Sequence, residues 1–148
     1  MSLLYSLKSF QELSVDELYA ILQLRNEVFA VEQNCVYADM DNKDQEAFHL
    51  MGWKDGKLLS YARLLPPGLS YKEPSIGRVI TSPGIRGAGE GRQLMQLSID
   101  HIHRMYEGQP IRISAQFYLL RFYTSLGFVS CSEVYIEDHI EHIEMLLG

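Results

Sequence analysis

The run Arg86-Gly87-Ala88-Gly89-Glu90-Gly91-Arg92 limits the possible folds of this chain more than any other stretch. It reads Arg-x-x-Gly-x-Gly. A short apolar strand, Ile76 to Thr81, precedes it and is closed by Ser82-Pro83. A helix follows from Arg92 to about Tyr106, with Met95, Ile99, Ile102 and Tyr106 on its packed face. A strand, a glycine-rich turn and a helix start together make a concave cradle of backbone N–H groups, to which the helix terminus adds about half a positive charge. Gly87, Gly89 and Gly91 carry no Cβ, so a phosphate can lie directly against the backbone. A Walker loop would end in Gly-Lys-Ser/Thr, which Gly91-Arg92-Gln93 does not supply. A dinucleotide fold would place Gly-x-Gly-x-x-Gly in the first strand–helix unit, whereas these glycines lie past the midpoint. The competing reading is an ordinary glycine-containing loop.

The 148 residues suit one domain, 1–148, with 47% apolar and 22% charged side chains. Thirteen Lys and Arg against nineteen Asp and Glu give −6, which argues against nucleic acid as a partner. Only local cations such as Arg86, Arg92 and Arg121 need face an anionic cofactor. Cys35 and Cys131 match neither a metal spacing nor a redox pair, so no metal is expected and a cytoplasmic setting fits. The first residues lack a charged leader followed by a long apolar run, and no window of about 18 apolar residues exists, so no signal peptide and no membrane span are expected.

Leu3 to Leu7 reads as a strand. Ser14 and Glu17 form a capping box that opens a helix to about Val31, with Leu18, Ile21, Leu22, Val28 and Phe29 on one face. Arg25 falls inside that apolar stripe and Glu32 follows seven residues later. A charge facing a core needs a partner or a ligand; an internal ion pair or a snorkelling Arg is the plainer outcome. Gln33 to Ala47 is a polar, acidic loop or broken helix. Its Asp39-x-Asp41-x-Lys43 start lacks the later ligands of a calcium loop. Phe48 to Trp53 and Lys57 to Leu65 are strands joined at Asp55-Gly56. Pro110 to Ala115 is a strand, and a short helix from about Phe117 to Ser125 ends at Gly127. Phe128 to Cys131 and His142 to Leu147 complete the sheet. The order β, α, βββ, α, β, α, ββ predicts an α/β (α+β) domain with a mixed central sheet flanked by helices.

This order, with the glycine turn where it stands, resembles the GNAT superfamily of N-acetyltransferases over most of the chain. A second family hallmark is present as Phe122-Tyr123-Thr124-Ser125-Leu126-Gly127-Phe128. The run Leu24-Arg25-x-x-Val28-Phe29-x-x-Glu32-Gln33-Asn34-Cys35 is similar to the small ElaA-type branch. The resemblance implies acetyl-CoA as co-substrate, with its pyrophosphate on Arg86, Gly87, Ala88, Gly89, Glu90, Gly91 and Arg92. It implies that the backbone of Val79, Ile80 and Thr81 pairs with the pantetheine arm and polarises the thioester carbonyl. It makes Tyr123 the acid that protonates the departing thiolate, although Leu119, Phe122 and Leu126 also give Tyr123 ordinary core spacing. Gln116 stands where many members carry an Asn that holds the cofactor arm, and can make the same amide contact. Ile111 stands where some members carry a catalytic Glu, so the general base is unassigned. Glu32 is the first candidate and His49 the second, with water-mediated deprotonation also open. His101, His103, His139 and His142 are read as surface or strand residues.

The expected acceptor is a small-molecule or protein amine, contacted by Arg25, Glu32 and His49, and the acidic loop favours a cationic one. The enzyme would act by direct attack in a ternary complex, since no acyl-enzyme is required. Folds resembling this one commonly pair edge strands into a homodimer. Two alternatives stand beside this reading. Arg25, Phe29, the Asp39 to Asp44 loop and Ala62 to Pro66 look like the N-terminal half of acyl-homoserine-lactone synthases, which lack the glycine turn. A non-catalytic acyl-CoA-binding module is the other.

Overall fold

The computed structural model describes residues 2–34 and 38–148. Cys35, part of the ElaA-type run and of the polar segment 33–47, lies outside them. In chain order the elements are β1 (Leu4–Ser9), α1 (Val15–Arg25), β2 (Phe48–Lys54), β3 (Lys57–Leu65), β4 (Ser75–Thr81), α2 (Glu90–Met105), β5 (Ile111–Gln116), α3 (Leu120–Ser125), β6 (Val129–Ser130), β7 (Tyr135–Glu137) and β8 (Ile140–Leu147). The strands form one mixed sheet in the order β1-β2-β3-β4-β5-β8-β6, with β7 also paired to β8. All pairs are antiparallel except β4 with β5.

Period-two alternation sorts the strand side chains between two helical layers. Leu50, Ala62, Leu64, Ile76, Ile113 and Met145 face α2, whose Leu94, Met95, Ile99 and Ile102 are buried against them. Met51, Leu58, Tyr61 and Ile80 face the other way, onto Ile21, Leu24 and Val28 from the α1 segment. The predicted capping box forms: Ser14 Oγ accepts from the Glu17 N–H at 3.0 Å, and Glu17 Oε1 accepts from the Ser14 N–H at 2.8 Å. Asp55 and Gly56, at φ +53° and +73°, make the expected tight hairpin.

Two expectations need correction. The first helix is not continuous to Val31. It is α-helical to Arg25 and then widens into a π-helical stretch, Asn26–Glu32, that ends with the Gln33 N–H donating to the Val28 carbonyl at 3.0 Å. Such stretches are rare and frequently mark functional sites. The C-terminal sheet has three strands instead of two. Tyr135–Glu137 pairs with Ile140–His142 across the turn Asp138-His139, where both residues have positive φ (+50° and +64°). That is a two-residue turn of the type Asp favours. No helix among the described residues is long and apolar enough to cross a membrane.

Candidate active site

The sheet opens along the line between β4 and β5. Their register gives one facing pair, Ser75 with Arg112. Against β3, the register steps from Arg63–Gly77 to Tyr61–Ile80, three residues of β4 for two of β3, so β4 carries a bulge. Arg78, at φ +48°, is its left-handed residue. A bulge sharpens the local twist, here turning the end of β4 away from β5. The backbone from Val79 to Thr81 is left with β3 on one side and space on the other. A cavity of about 930 Å³ lies here, lined by Val79, Ile80 and Thr81 of β4 and Ile113, Ser114 and Gln116 of β5.

The glycine turn forms one end of this cavity. After Thr81 the chain makes a single 3₁₀ turn, Pro83–Ile85, and reaches α2 through Gly87 (φ +88°) and Gly89 (φ +81°). Gly89 is the N-cap of α2 and offers no side-chain cap, so the first N–H groups of the helix are open to a ligand. Gly91 is different: its backbone is helical, and a Cβ there would meet only Phe122 Cζ at 3.8 Å. Nothing in the fold itself requires glycine at 91. Glu90 is buried at the helix start, where the macrodipole favours a negative charge, and its Oε2 has no hydrogen-bond partner among the described residues.

Two predicted phosphate ligands are engaged elsewhere. Arg86 donates to Glu32 Oε1 at 2.8 Å and to the Thr81 carbonyl at 3.0 Å, forming a two-pronged clasp with the Glu32 carboxylate. Arg92 donates to Ser125 Oγ and lies over the Phe122 ring. The hydrogen bonds and charge of Arg86 hold the Glu32 carboxyl below its usual range, which suits a clasp better than a proton acceptor. Freeing Arg86 by Glu32→Gln is therefore expected to raise acyl-CoA affinity by at most a few-fold, because exposed ion pairs contribute about 0–1 kcal/mol. The pH dependence of turnover should stay as it is. A titration calorimeter and a pH–rate profile check both; a displaced profile would restore Glu32 as the base.

Tyr123 reconciles its two readings. Its ring packs edge-on to Phe122 and Phe128, at centroid distances of 5.2 and 6.0 Å. It also lines the cavity, and its hydroxyl has no hydrogen-bond partner among the described residues. Burial pushes its pKa up to about 12. At neutral pH it holds a proton to give. Gln116 closes β5 beside it, donating to Gln33 Oε1 at 3.3 Å.

On the α1 face, three arginines and three aspartates close into a network. Arg25, with no exposed surface, donates to Asp39 at 2.7 Å and Asp44 at 2.8 Å. Arg63 donates to Asp41 and Asp44, each at 2.8 Å, and Arg78 to Asp39 at 2.7 Å. Burial raises the Asp41 and Asp44 carboxyls, but the arginine hydrogen bonds and charges outweigh it and hold both below the usual range. Arg25 is thus the internally paired residue its position in the stripe suggested. The acidic loop is neutralised from within, which removes its support for a cationic acceptor.

His49 is fully buried and outside the cavity lining. Its Nε2–H donates to the Asp44 carbonyl at 2.9 Å, so its Nδ1 accepts from the Tyr61 hydroxyl at 2.6 Å. Burial lowers its pKa, and no lone pair is left for an acceptor. Of the predicted site residues, the cavity gathers Val79, Ile80, Thr81, Arg86, Gly87, Gly89, Glu90, Gly91, Gln116 and Tyr123. Ala88, Arg92, Arg25, Glu32 and His49 are not among its lining. The sequence reading missed Tyr135, Glu137 and His142. Tyr135 bonds Ser114 through its hydroxyl and stacks on His142, and both Glu137 and His142 line the cavity. The available signal was the turn pair Asp138-His139 after the apolar Tyr135-Ile136.

The acetyltransferase (GNAT) domain family matches residues 10–147. Protein ElaA of Escherichia coli is 45% identical over 136 residues, covering 90% of this chain and 89% of its own. The crystal structure of that ElaA superposes with a TM-score of 0.93 over 99% of both chains. An acyl-CoA N-acyltransferase from Pseudomonas aeruginosa superposes at 0.95, with 44% identity, over 99% of this chain and 100% of its own. The chain belongs to the GNAT acetyltransferase family, in its ElaA-like branch.

Proposed function

We propose that this protein transfers an acyl group, acetyl in the first instance, from acyl-CoA to a primary amine by direct attack in a ternary complex. The observation that carries the reading is a single cavity lined by the open glycine turn, the β5-facing side of β4 and Tyr123. A pyrophosphate fits the turn because two left-handed glycines and an uncapped helix start present backbone N–H groups there. The pantetheine arm, which carries amides, fits the side of Val79 to Thr81 that β3 does not cover, in the manner of an added strand. Gln116 supplies a further amide contact, and Arg86 a cation once it leaves Glu32.

The chain's residues then divide the chemistry. An N–H of β4 polarises the thioester carbonyl as negative charge develops on its oxygen. Tyr123 gives its proton to the departing sulfur. The lactone-synthase alternative leaned on Arg25, the acidic loop and Arg63; these side chains satisfy one another as ion pairs, which is reason enough for their presence.

Tyr123→Phe tests the reading. It removes a hydroxyl that bonds nothing among the described residues, so stability and acetyl-CoA affinity should hold, while kcat with an amine acceptor should fall about 100-fold. Thiol release from acetyl-CoA reports the rate. Unchanged turnover would reduce Tyr123 to a core ring.

A further inference from the structure

Acyl transfer to an amine needs a neutral nitrogen, yet an alkylamine has a pKa of about 10 and is cationic near neutral pH. Something in the cavity must take that proton. Glu32 and His49 are engaged as described, and Asp39 and Asp41 are held by arginines. Glu90 opens α2 at the glycine turn, the part of the cavity assigned to the phosphates. His142 is the imidazole that lines the cavity, and imidazole is the side chain matched to proton transfer at neutral pH.

Its geometry fixes the tautomer. Nδ1 lies 2.8 Å from the Ile140 carbonyl, which can only accept, so Nδ1 carries the hydrogen. Nε2 is left with its lone pair. Glu137 Oε2 is 3.7 Å from Nε2, too far for a hydrogen bond and within ion-pair distance. Stacking on Tyr135, itself tied to Ser114, holds the ring plane. In the β5–β8 register His142 stands directly opposite Gln116, the residue assigned to the cofactor arm.

We infer that His142 is the general base of this enzyme, taking the acceptor's proton on Nε2 with Glu137 supporting the charge that results. The inference rests on the acyltransferase reading above. The acceptor ammonium gives one proton to Nε2, and the freed lone pair forms the C–N bond at the thioester carbonyl. The C–S pair leaves with sulfur, which takes the Tyr123 proton. The second nitrogen proton restores Tyr123 through water, and the imidazolium returns its proton to solvent, releasing one H⁺ per turnover. The charged and titratable groups around His142 are Glu137 and Tyr135 on β7, Asp138 and His139 in the turn, and Glu144 on β8, paired with Arg112. Tyr71 and the Asp39–Arg78 pair also line the cavity.

The test uses the full chain in two measurements. Nitrogen-15 histidine spectra, with His142 identified by its loss in His142→Gln, should show Nδ1 protonated and Nε2 bare at high pH; the opposite tautomer overturns the inference. Thiol release from acetyl-CoA is then followed with two probe acceptors, n-propylamine, which arrives charged, and hydroxylamine, which arrives neutral. His142→Gln should lower kcat for propylamine on the order of 100-fold and spare hydroxylamine. Equal losses with both probes, or a shifted KM for acetyl-CoA alone, overturn the inference and make His142 structural. A wild-type enzyme that binds acetyl-CoA but accelerates neither probe counts against the acyltransferase reading, and the tautomer then decides for or against the assignment to His142.

Discussion

Gly89→Val is expected to abolish acyl-CoA binding. Gly89 caps α2 at φ +81°, a conformation that costs a β-branched residue about 1–2 kcal/mol, so the turn would be driven out of shape. Losing two charge-assisted hydrogen bonds to a pyrophosphate, at about 1.5–3 kcal/mol each, corresponds to an affinity loss on the order of 100-fold or more. Gly91→Ala separates that effect from stability. Its backbone is helical and its surroundings leave room, so alanine should stabilise the protein by about 0.5–1 kcal/mol. If a phosphate binds at the start of α2, a methyl group there would crowd it, because Gly91 lines the cavity. A variant with a higher Tm and weaker acetyl-CoA binding is the expected signature, read by calorimetry and thermal melts. Unchanged affinity in both variants would mean that the turn is a loop and nothing more.

The second large effect is on the fold. Asp44→Ala is expected to cost about 3–5 kcal/mol, because it leaves Arg25 and Arg63 buried and short of a shared carboxylate. For a chain of this size that lowers Tm on the order of 10 °C. Arg25→Met in the same background should recover part of the loss, giving a double-mutant cycle that is less than additive. The same network sets the acid limit. Asp41 and Asp44 have folded pKa values below their unfolded ones, so their contribution is complete above about pH 4 and is lost as pH falls through the depressed values. Wild type should therefore unfold in acid, and Asp44→Ala should lose that part of the pH dependence.

Much of the frame could be read from local pattern. The glycine turn, the capping box at Ser14, the Asp55-Gly56 hairpin and the packed face of α2 each declare themselves within a few residues. The two hallmarks that placed the chain in its family are of the same kind. What local pattern could not supply was partnership over distance. Arg25 announced the need for a counter-charge, but Asp39 and Asp44 sit 14 and 19 residues on, in a loop whose path no periodicity describes. Glu32 lies 54 residues before Arg86, so the clasp between them has no signature in either segment. The bulge at Arg78 was equally hidden, because a left-handed arginine in a strand is selected by the sheet around it and not by its own propensity. β7 was missed for a plainer reason: three residues are too short for alternation to stand out, although its turn was readable. That omission left out Glu137 and Tyr135, which the β7–β8 hairpin sets beside His142.

The first measurement to make is a calorimetric titration of the full chain with acetyl-CoA, beside S-acetylpantetheine, which keeps the thioester arm and lacks the pyrophosphate. If an acyl-CoA lies through the β4–β5 opening with its pyrophosphate on the turn, acetyl-CoA binds saturably and acetylpantetheine at least about 100-fold more weakly. Equal affinities, or no heat with acetyl-CoA at millimolar concentration, would remove the phosphate from the Arg86–Arg92 turn and the proposed reaction with it.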